Sequence, residues 1–306
     1  MAQASQHASS ATDPRGLQLR GNGTPRVLTC RVLQSPLAGV SDRIFRQLVR
    51  RWASEALLFT EMVNATSLEL GHGTQKVDEL ADEAGPIGVQ LFDHRPAAMA
   101  DAVQVPVTVK TRLGWCDGSD AIGWCRRLEA AGAQLLTLHG RTREQGFKGR
   151  ADWDAIAAVK GALGIPVIAN GDIQTPADAL ACLKVTGADG VMVGRGTMGA
   201  PWLVGQLAAA LAGQPVPATP GPAERLALAA EQLQALVAAR GDHGLLIARK
   251  HMGWLCTGFA GAPQLRHNLM RAPTPAAALA LLAEASAGLG QGSTAGQPWR
   301  ISSSEK

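Results

Sequence analysis

PVTVKTRLGW (106–115), LLTLHGRT (135–142), PVIANGD (166–172) and GVMVGRG (190–196) share one pattern, a short β-branched run that stops on a polar residue. Apolar runs of this length bounded by Gly and Pro read as strands buried on both faces, as in parallel sheets. The polar residue of each run, Lys110, His139, Asn170 or Arg195, then stands at a strand's C-terminal end. In a barrel of parallel strands that end is where chemistry is built. Three earlier runs extend the series: RVLQSPLAG (31–39), ALLFTEMV (56–63) and PIGVQLF (86–92). Helix-compatible sequence lies between them; SDRIFRQLVRRW (41–52) is a basic amphipathic helix that Ser41 or Asp42 can cap. Strands and helices in this alternation point to a (β/α) barrel or a doubly wound sheet. Strand starts mostly fall about 25–30 residues apart, which suits a barrel of ~250 residues in eight units. One interval is short: between Phe92 and Pro106 there is room for a minimal crossover only.

A chain of 306 residues can bury a full core and hold one large domain plus a smaller one. ATPGPAERL (218–226) reads as a Pro-rich hinge. Beyond it, 224–240, 245–256 and 276–285 carry helical periodicity and no strand signal. The expected organisation is a disordered lead-in (1–26), a barrel (27–215), a helical domain (220–288) and a loose tail (289–306). No apolar run reaches membrane-span length, and the N-terminus lacks the order of a secretory signal. Five scattered cysteines without a CxxC pair exclude an obvious zinc site or disulfide framework and point to the reduced cytoplasm. A net charge of +4 permits an anionic partner without requiring one.

LHGRTREQGFKG (138–149) gathers a His and three basic residues at one strand end; by itself it reads equally as a solvated loop with a structural His. GDI (171–173) and GRG (194–196) follow the last two strands. Gly-rich loops there cradle phosphates, because bare backbone N–H groups and a short helix N-terminus attract anions, although such loops also serve merely as tight turns. Lys110 closes a strand whose other inward positions are apolar, a costly place for an ammonium unless it faces a polar site. Gln90 is ambiguous, since its amide can simply bond a neighbouring turn.

SPLAGVSDRIFR, FTEMV, VQLF, VPVTVKTRLGW, LTLHGRTREQGFKG, IPVIANGDI, TGADGVMVGRG and IARKHMGW occur in the order found in the bacterial tRNA-dihydrouridine synthases. The chain resembles that family over most of residues 27–285. The resemblance implies a flavin-binding (β/α) barrel of the TIM type, followed by a small all-helical domain. It implies an oxidoreductase that uses NADPH to reduce FMN and then reduces the C5–C6 bond of a tRNA uridine. By the same resemblance Pro36, Leu37 and Ala38 lie against the flavin and Gln90 bonds the isoalloxazine edge. Lys110 places positive charge beside the ring, and His139 and Arg141 face the flavin and substrate pocket. Asn170, Gly171 and Asp172, with Gly194 and Arg195, hold the ribityl phosphate, and Arg249, Lys250 and His251 are candidate tRNA phosphate contacts. The expected partner is tRNA, with no membrane, for a monomeric protein.

Members of that family carry a further strand–helix unit of roughly fifty residues between the runs at 86–92 and 106–112. That unit bears an Asn–x–Gly–Cys–Pro motif whose cysteine protonates uridine C5. This chain passes directly from PAAMADA to VQVPVTVK. Strands three and five must therefore pair directly or leave the barrel open. No catalytic residue stands in the expected place; Cys116, in another loop at the same barrel end, is the weak substitute. Two readings compete with the enzyme: a non-catalytic tRNA-binding remnant, and another FMN-dependent barrel oxidoreductase acting on a small molecule.

Overall fold

The computed structural model describes residues 16–19, 26–72, 77, 80, 82–92 and 105–291. An antiparallel hairpin comes first, β1 (Leu17–Leu19) against β2 (Arg26–Leu28). Leu17–Leu19 falls within the stretch read as a disordered lead-in; Leu17, Leu19 and Leu28 instead pack with Leu33, Leu57, Leu135, Ile168 and Met192 in one core cluster. Residues 1–15, the rest of that lead-in up to Pro25, and the tail beyond Gln291 lie outside the described residues.

Every run read as a strand contains one. They are β3 (Val32–Gln34), β4 (Leu58–Phe59) with β5 (Val63–Asn64), β6 (Ile87–Gly88) with β7 (Leu91–Phe92), β8 (Val109–Arg112), β9 (Leu136–His139), β10 (Val167–Asn170) and β11 (Gly190–Val193). All pair in parallel. The main sheet runs β3-β11-β10-β9-β8, while β4 pairs with β6 and β5 with β7. A Leu33–Leu57 bridge and the Gln34 N to Leu57 O hydrogen bond (3.0 Å) join β3 to the β4 side. The architecture is a TIM-type (β/α) barrel with a helical C-terminal part. Gly190 marks the tightest junction: a Cβ there would come within 2.4 Å of the Arg31 carbonyl oxygen, so β11 can lie against the start of β3 only with glycine in that place.

The intervening helices start where caps allow. In α1 (Arg43–Arg50) Asp42 accepts from the Phe45 amide at 2.8 Å, and Phe45, Leu48 and Val49 are buried. Ala65–Glu69 forms the short α2, and Ala121–Ala130 forms α3. Helix α4 (Trp153–Ala162) is capped by Asp152. Helix α5 (Pro176–Thr186) has a Thr175–Asp178 capping box and ends on Gly187 in the left-handed region. Leu203–Leu211 forms α6.

The described residues up to Thr197, with Pro201–Pro217, make one unit; Met198–Ala200 and the described residues from Ala218 onward make the other. The second holds α7 (Pro222–Arg240), α8 (Asp242–Leu255), α9 (Ala262–Arg271) and α10 (Pro275–Gln291). Sequence periodicity marked α7, α8 and α10 but not α9. That helix is polar on most sides and buries only Ala262, Leu265 and Leu269, too narrow a stripe to stand out. No helix among the described residues is long and apolar enough to cross a membrane.

The described strands do not close the barrel at the short interval. Among the described residues no pairing joins β8 to β6 or β7. The Val109 amide donates to Leu135 O (2.9 Å) and the Leu113 amide to Arg141 O (3.2 Å). In a parallel ladder alternate residues bond to opposite neighbours, so the amides of Lys110 and Arg112 point away from β9, where no described strand pairs with them. Hydrogen exchange read residue by residue should find these two amides exchanging much faster than those of Leu138 and Ala169 in the sheet interior. Equal protection would mean that β8 is covered.

Candidate functional site

Register brings the polar strand ends together. Arg112 lies opposite His139, His139 opposite Asn170, Asn170 opposite Met192, and Val193 opposite Gln34. Residues in register share a face, and Lys110, two before Arg112, shares it too. A cavity of about 400 Å³ opens at this rim. Its walls include Pro36, Leu37, Lys110, Arg112, His139 and Phe147, and its floor and far side include Asn170, Gly171, Asp172, Gly194 and Arg195.

A buried guanidinium holds one wall. Arg141 is 2% exposed and does not line the cavity. It donates to both carboxylate oxygens of Asp172 at 2.8 Å, to Lys148 O at 3.1 Å and to Gly149 O at 2.7 Å. It also reaches His139 Nε2 at 3.4 Å. Asp172 accepts the Ala151 amide as well (2.7 Å) and stands at φ 57°, the one non-glycine in the left-handed region among the described residues. Gly171 before it has φ 122°, and a Cβ there would come within 2.7 Å of the Ala151 Cβ. The loop after β9 and the turn after β10 are thus one hydrogen-bonded body.

Charge follows from this arrangement. Burial, then the positive charges of Lys110, Arg112 and Arg141, pushes His139 down to about 3, so its ring is neutral near pH 7. The Lys110 side chain meets solvent in the open cavity, yet protein surrounds it closely. That burial and the Arg112 charge bring its pKa down to about 8. Burial raises Asp172, but the Ala151 amide and Arg141 outweigh it and hold the carboxyl below its ordinary value. The cavity therefore presents cations around one carboxylate that is already paired, a setting for an anionic ligand.

The other expected residues fall as follows. The Asn170 side chain donates to Met192 O at 2.8 Å. Gly194 opens a 3₁₀ turn, its carbonyl accepting from Thr197 N and Oγ1. Ala38 is in the exposed turn just beyond Leu37, outside the cavity wall, as is Gln90. The Gln90 amide donates to Thr60 Oγ1 (3.1 Å) and its carbonyl accepts from Val63 N (2.8 Å). Cys116 is exposed and lines a neighbouring cavity; its thiol donates to Glu144 Oε1 at 3.5 Å. In the helical unit His251 is 2% exposed, with its ring edge-on to Trp254 (centroids 5.3 Å apart). Arg249 donates to Ala272 O (3.2 Å), and Lys250 is half-buried.

Among the wall residues outside the predicted set, Arg112 and Phe147 carry the most chemistry. Arg112 donates to Thr142 O (2.9 Å) and Gly146 O (2.8 Å), and Phe147 lies 4.0 Å from the Arg195 guanidinium and 5.6 Å from that of Arg112. The period of two from Lys110 could have found Arg112. Nothing in the local sequence marks Phe147.

The family model described as dihydrouridine synthase (Dus) matches this chain in two pieces, residues 33–105 and 97–288. A probable tRNA-dihydrouridine synthase 1 of Synechocystis is 44% identical over 294 aligned positions, covering 80% of this chain and 83% of that protein. A probable tRNA-dihydrouridine synthase of Rhodobacter capsulatus is 39% identical over 306 positions (83% and 94%), and the tRNA-dihydrouridine synthase B of Xanthomonas axonopodis is 34% identical over 311 (84% and 93%). Because 80% of 306 residues is about 245, about fifty of the 294 positions in the Synechocystis alignment have no counterpart in this chain. The two pieces of the family match meet at 97–105, inside the short interval.

Two outcomes follow for stability. Asp172→Asn leaves a buried guanidinium without its counter-charge. Since the Asp172 side chain is 31% exposed, the loss in urea unfolding should sit at the low end for such pairs, about 3 kcal/mol. His139 binds a proton near 6.5 in the unfolded chain and only near 3 in the fold, so its share of stability is intact above about pH 6.5 and declines as pH falls toward 3. His251, at about 4, acts in the same direction in the other unit. A His139→Gln variant should therefore lose less stability than the parent between pH 7 and 4.5, and parallel curves would contradict the assignment.

Proposed function

The chain belongs to the dihydrouridine synthase family, and on that premise we propose that it is an FMN-dependent oxidoreductase directed at uridine in tRNA, with NADPH as reductant. The observation that carries this reading is the convergence of Lys110, His139, Asn170, Gly171, Gly194 and Arg195 on one cavity at the C-terminal rim of the barrel.

The donor set suits FMN. The cavity, about 400 Å³, lies in the range of cofactor pockets. Gly171, Gly194 and Arg195, with Asn170 beside them, would hold the ribityl phosphate through bare backbone and one guanidinium. Pro36 and Leu37 supply an apolar surface for the ring, while Ala38 and Gln90 stand outside the cavity wall. Lys110 brings a positive charge. Asp172 acts by holding Arg141, and Arg141 by holding the 141–149 loop against the turn after β10. When bound, FMN supplies the hydride for uridine C6. His139, neutral near pH 7, can share a hydrogen bond without adding charge. In the helical unit, Arg249 and Lys250 are offered as tRNA phosphate contacts, while His251 is buried against Trp254.

The proton for uridine C5 is the weak point. No cysteine lines the cavity, and Cys116 opens onto a different one. The Lys110 ammonium, near 8, and water are the remaining sources. Loss of a positioned acid lowers rate by about 10²–10⁴-fold. This favours slow turnover, and at its limit a tRNA-binding remnant that takes up flavin without forming dihydrouridine.

The purified chain should show oxidised-flavin absorbance, or gain it on FMN titration, and bleach on NADPH addition under nitrogen. Dihydrouridine formed in tRNA should lag a cysteine-bearing relative by about 10²–10⁴-fold. A colourless chain that takes up no FMN would sink the reading, and rapid reduction of a small substrate with none of tRNA would redirect it. Lys110 loses its charge as pH rises through about 8, so FMN affinity should fall above that pH in the parent but not in Lys110→Arg, where the guanidinium stays charged.

A further inference from the structure

Next to the first cavity lies a second, of about 650 Å³, walled by the end of β8, the loop after it, the start of α3 and Arg143. Arg112 belongs to both walls. Two indoles dominate the second: Trp115 is 69% exposed and Trp124 41%. Each carries a guanidinium, Arg143 at 5.7 Å from the Trp115 centroid and Arg127 at 5.7 Å from that of Trp124. Trp124 Nε1 donates to Thr111 Oγ1 at 3.3 Å, which fixes its ring. The Arg143 amide donates to Gly114 O (2.9 Å) and the Glu144 amide to Trp115 O (3.0 Å), so Trp115 and Arg143 sit on two loops stitched together.

Of the two acids in this lining one is paired and the other keeps its charge, against three guanidinium groups. Asp120 pairs with Arg127 at 2.6 Å, and Asp117 accepts from Ser119 N and Oγ at 2.9 and 2.5 Å. Arg143 makes no ion pair among the described residues. A purely aliphatic ligand would leave that guanidinium without a counter-charge, and a bare phosphate would leave both indoles wet. A flat ring joined to a phosphate uses both.

We propose that this second cavity is a nucleotide subsite for single-stranded RNA, in which a base stacks on the Trp115 indole beside Trp124 and its phosphate pairs with Arg143. The proposal deepens the tRNA reading above and rests on it. A strand that puts one base into the first cavity runs its neighbour past Arg112 and into the second. The subsite thus holds the nucleotide next to the reacting uridine, and it would grip RNA whether or not turnover is fast.

The test is fluorescence anisotropy of a fluorescein-labelled oligouridine with the full chain, alongside FMN titration of the same samples. Trp115→Ala should weaken RNA binding by about 5- to 150-fold, and Trp115→Phe, which keeps a stacking face, by much less. Arg143→Gln should flatten the salt dependence by about 0.7 in the log–log slope, the single-strand value for one phosphate. FMN affinity should stay unchanged in all three. The subsite is overturned if the parent does not bind the oligonucleotide, if Trp115→Ala binds it like the parent, or if Trp115→Ala alters only sedimentation, which would make the surface a contact between copies. Failure of the parent to take up FMN would count against the flavin reading alone, because the RNA comparison does not depend on it.

Discussion

The Arg141–Asp172 pair is the interaction on which the rest of the rim depends. Arg141 is almost wholly buried, so its charge would be costly without Asp172 and the two loop carbonyls that accept from it. Satisfying it fixes three things together: the course of the 141–149 loop, the left-handed turn at Gly171 and Asp172, and the acceptor role of His139 Nε2. The loop in turn carries Phe147 to the cavity mouth and Arg143 to its neighbour. One ion pair thereby orders both cavities. It also sets their electrostatics, because it neutralises the one carboxylate that lines the first cavity and leaves Lys110, Arg112 and Arg195 as the charges an incoming ligand meets.

The second constraint is the missing strand position. A parallel barrel satisfies its backbone by closing on itself, and among the described residues no strand pairs with the edge of β8 away from β9. Residues on both sides of the gap carry exposed apolar groups, Val89 and Phe92 on one side, Val107 and Trp124 on the other. β8 itself is only four residues long and points Lys110 and Arg112 inward, and short edges with inward charges resist pairing with other chains.

Function divides along the same line. The half of the rim proposed to hold phosphate, built by β10, β11 and the turns that follow them, is continuous with the paired part of the sheet and with the Arg141 body. On the proposed reading, the residues offered for FMN and RNA lie on the described elements, whereas the proton donor that the resemblance implies belongs to the stretch of about fifty aligned positions without counterpart in this chain.

The amino-acid sequence by itself determined the strand positions, their order, the family and the place of the missing unit. Those features are local or collinear: β-branched runs between Gly and Pro, a helical period after Pro222, motifs in a set order. It also marked the strand-end residues, since a polar group closing an apolar run is visible in one dimension. Only the tertiary structure decided what those residues do. It turned Arg141 from a pocket group into a buried pin, brought Arg112 and Phe147 into the wall, sent Cys116 to the other cavity, and placed His251 against Trp254 instead of in solvent. It also drew Leu17–Leu19 into a hairpin whose leucines join residues more than a hundred positions away. The physical reason is register. Which side chains meet across parallel strands depends on pairings between segments some twenty to 160 residues apart, and no local period or composition encodes them.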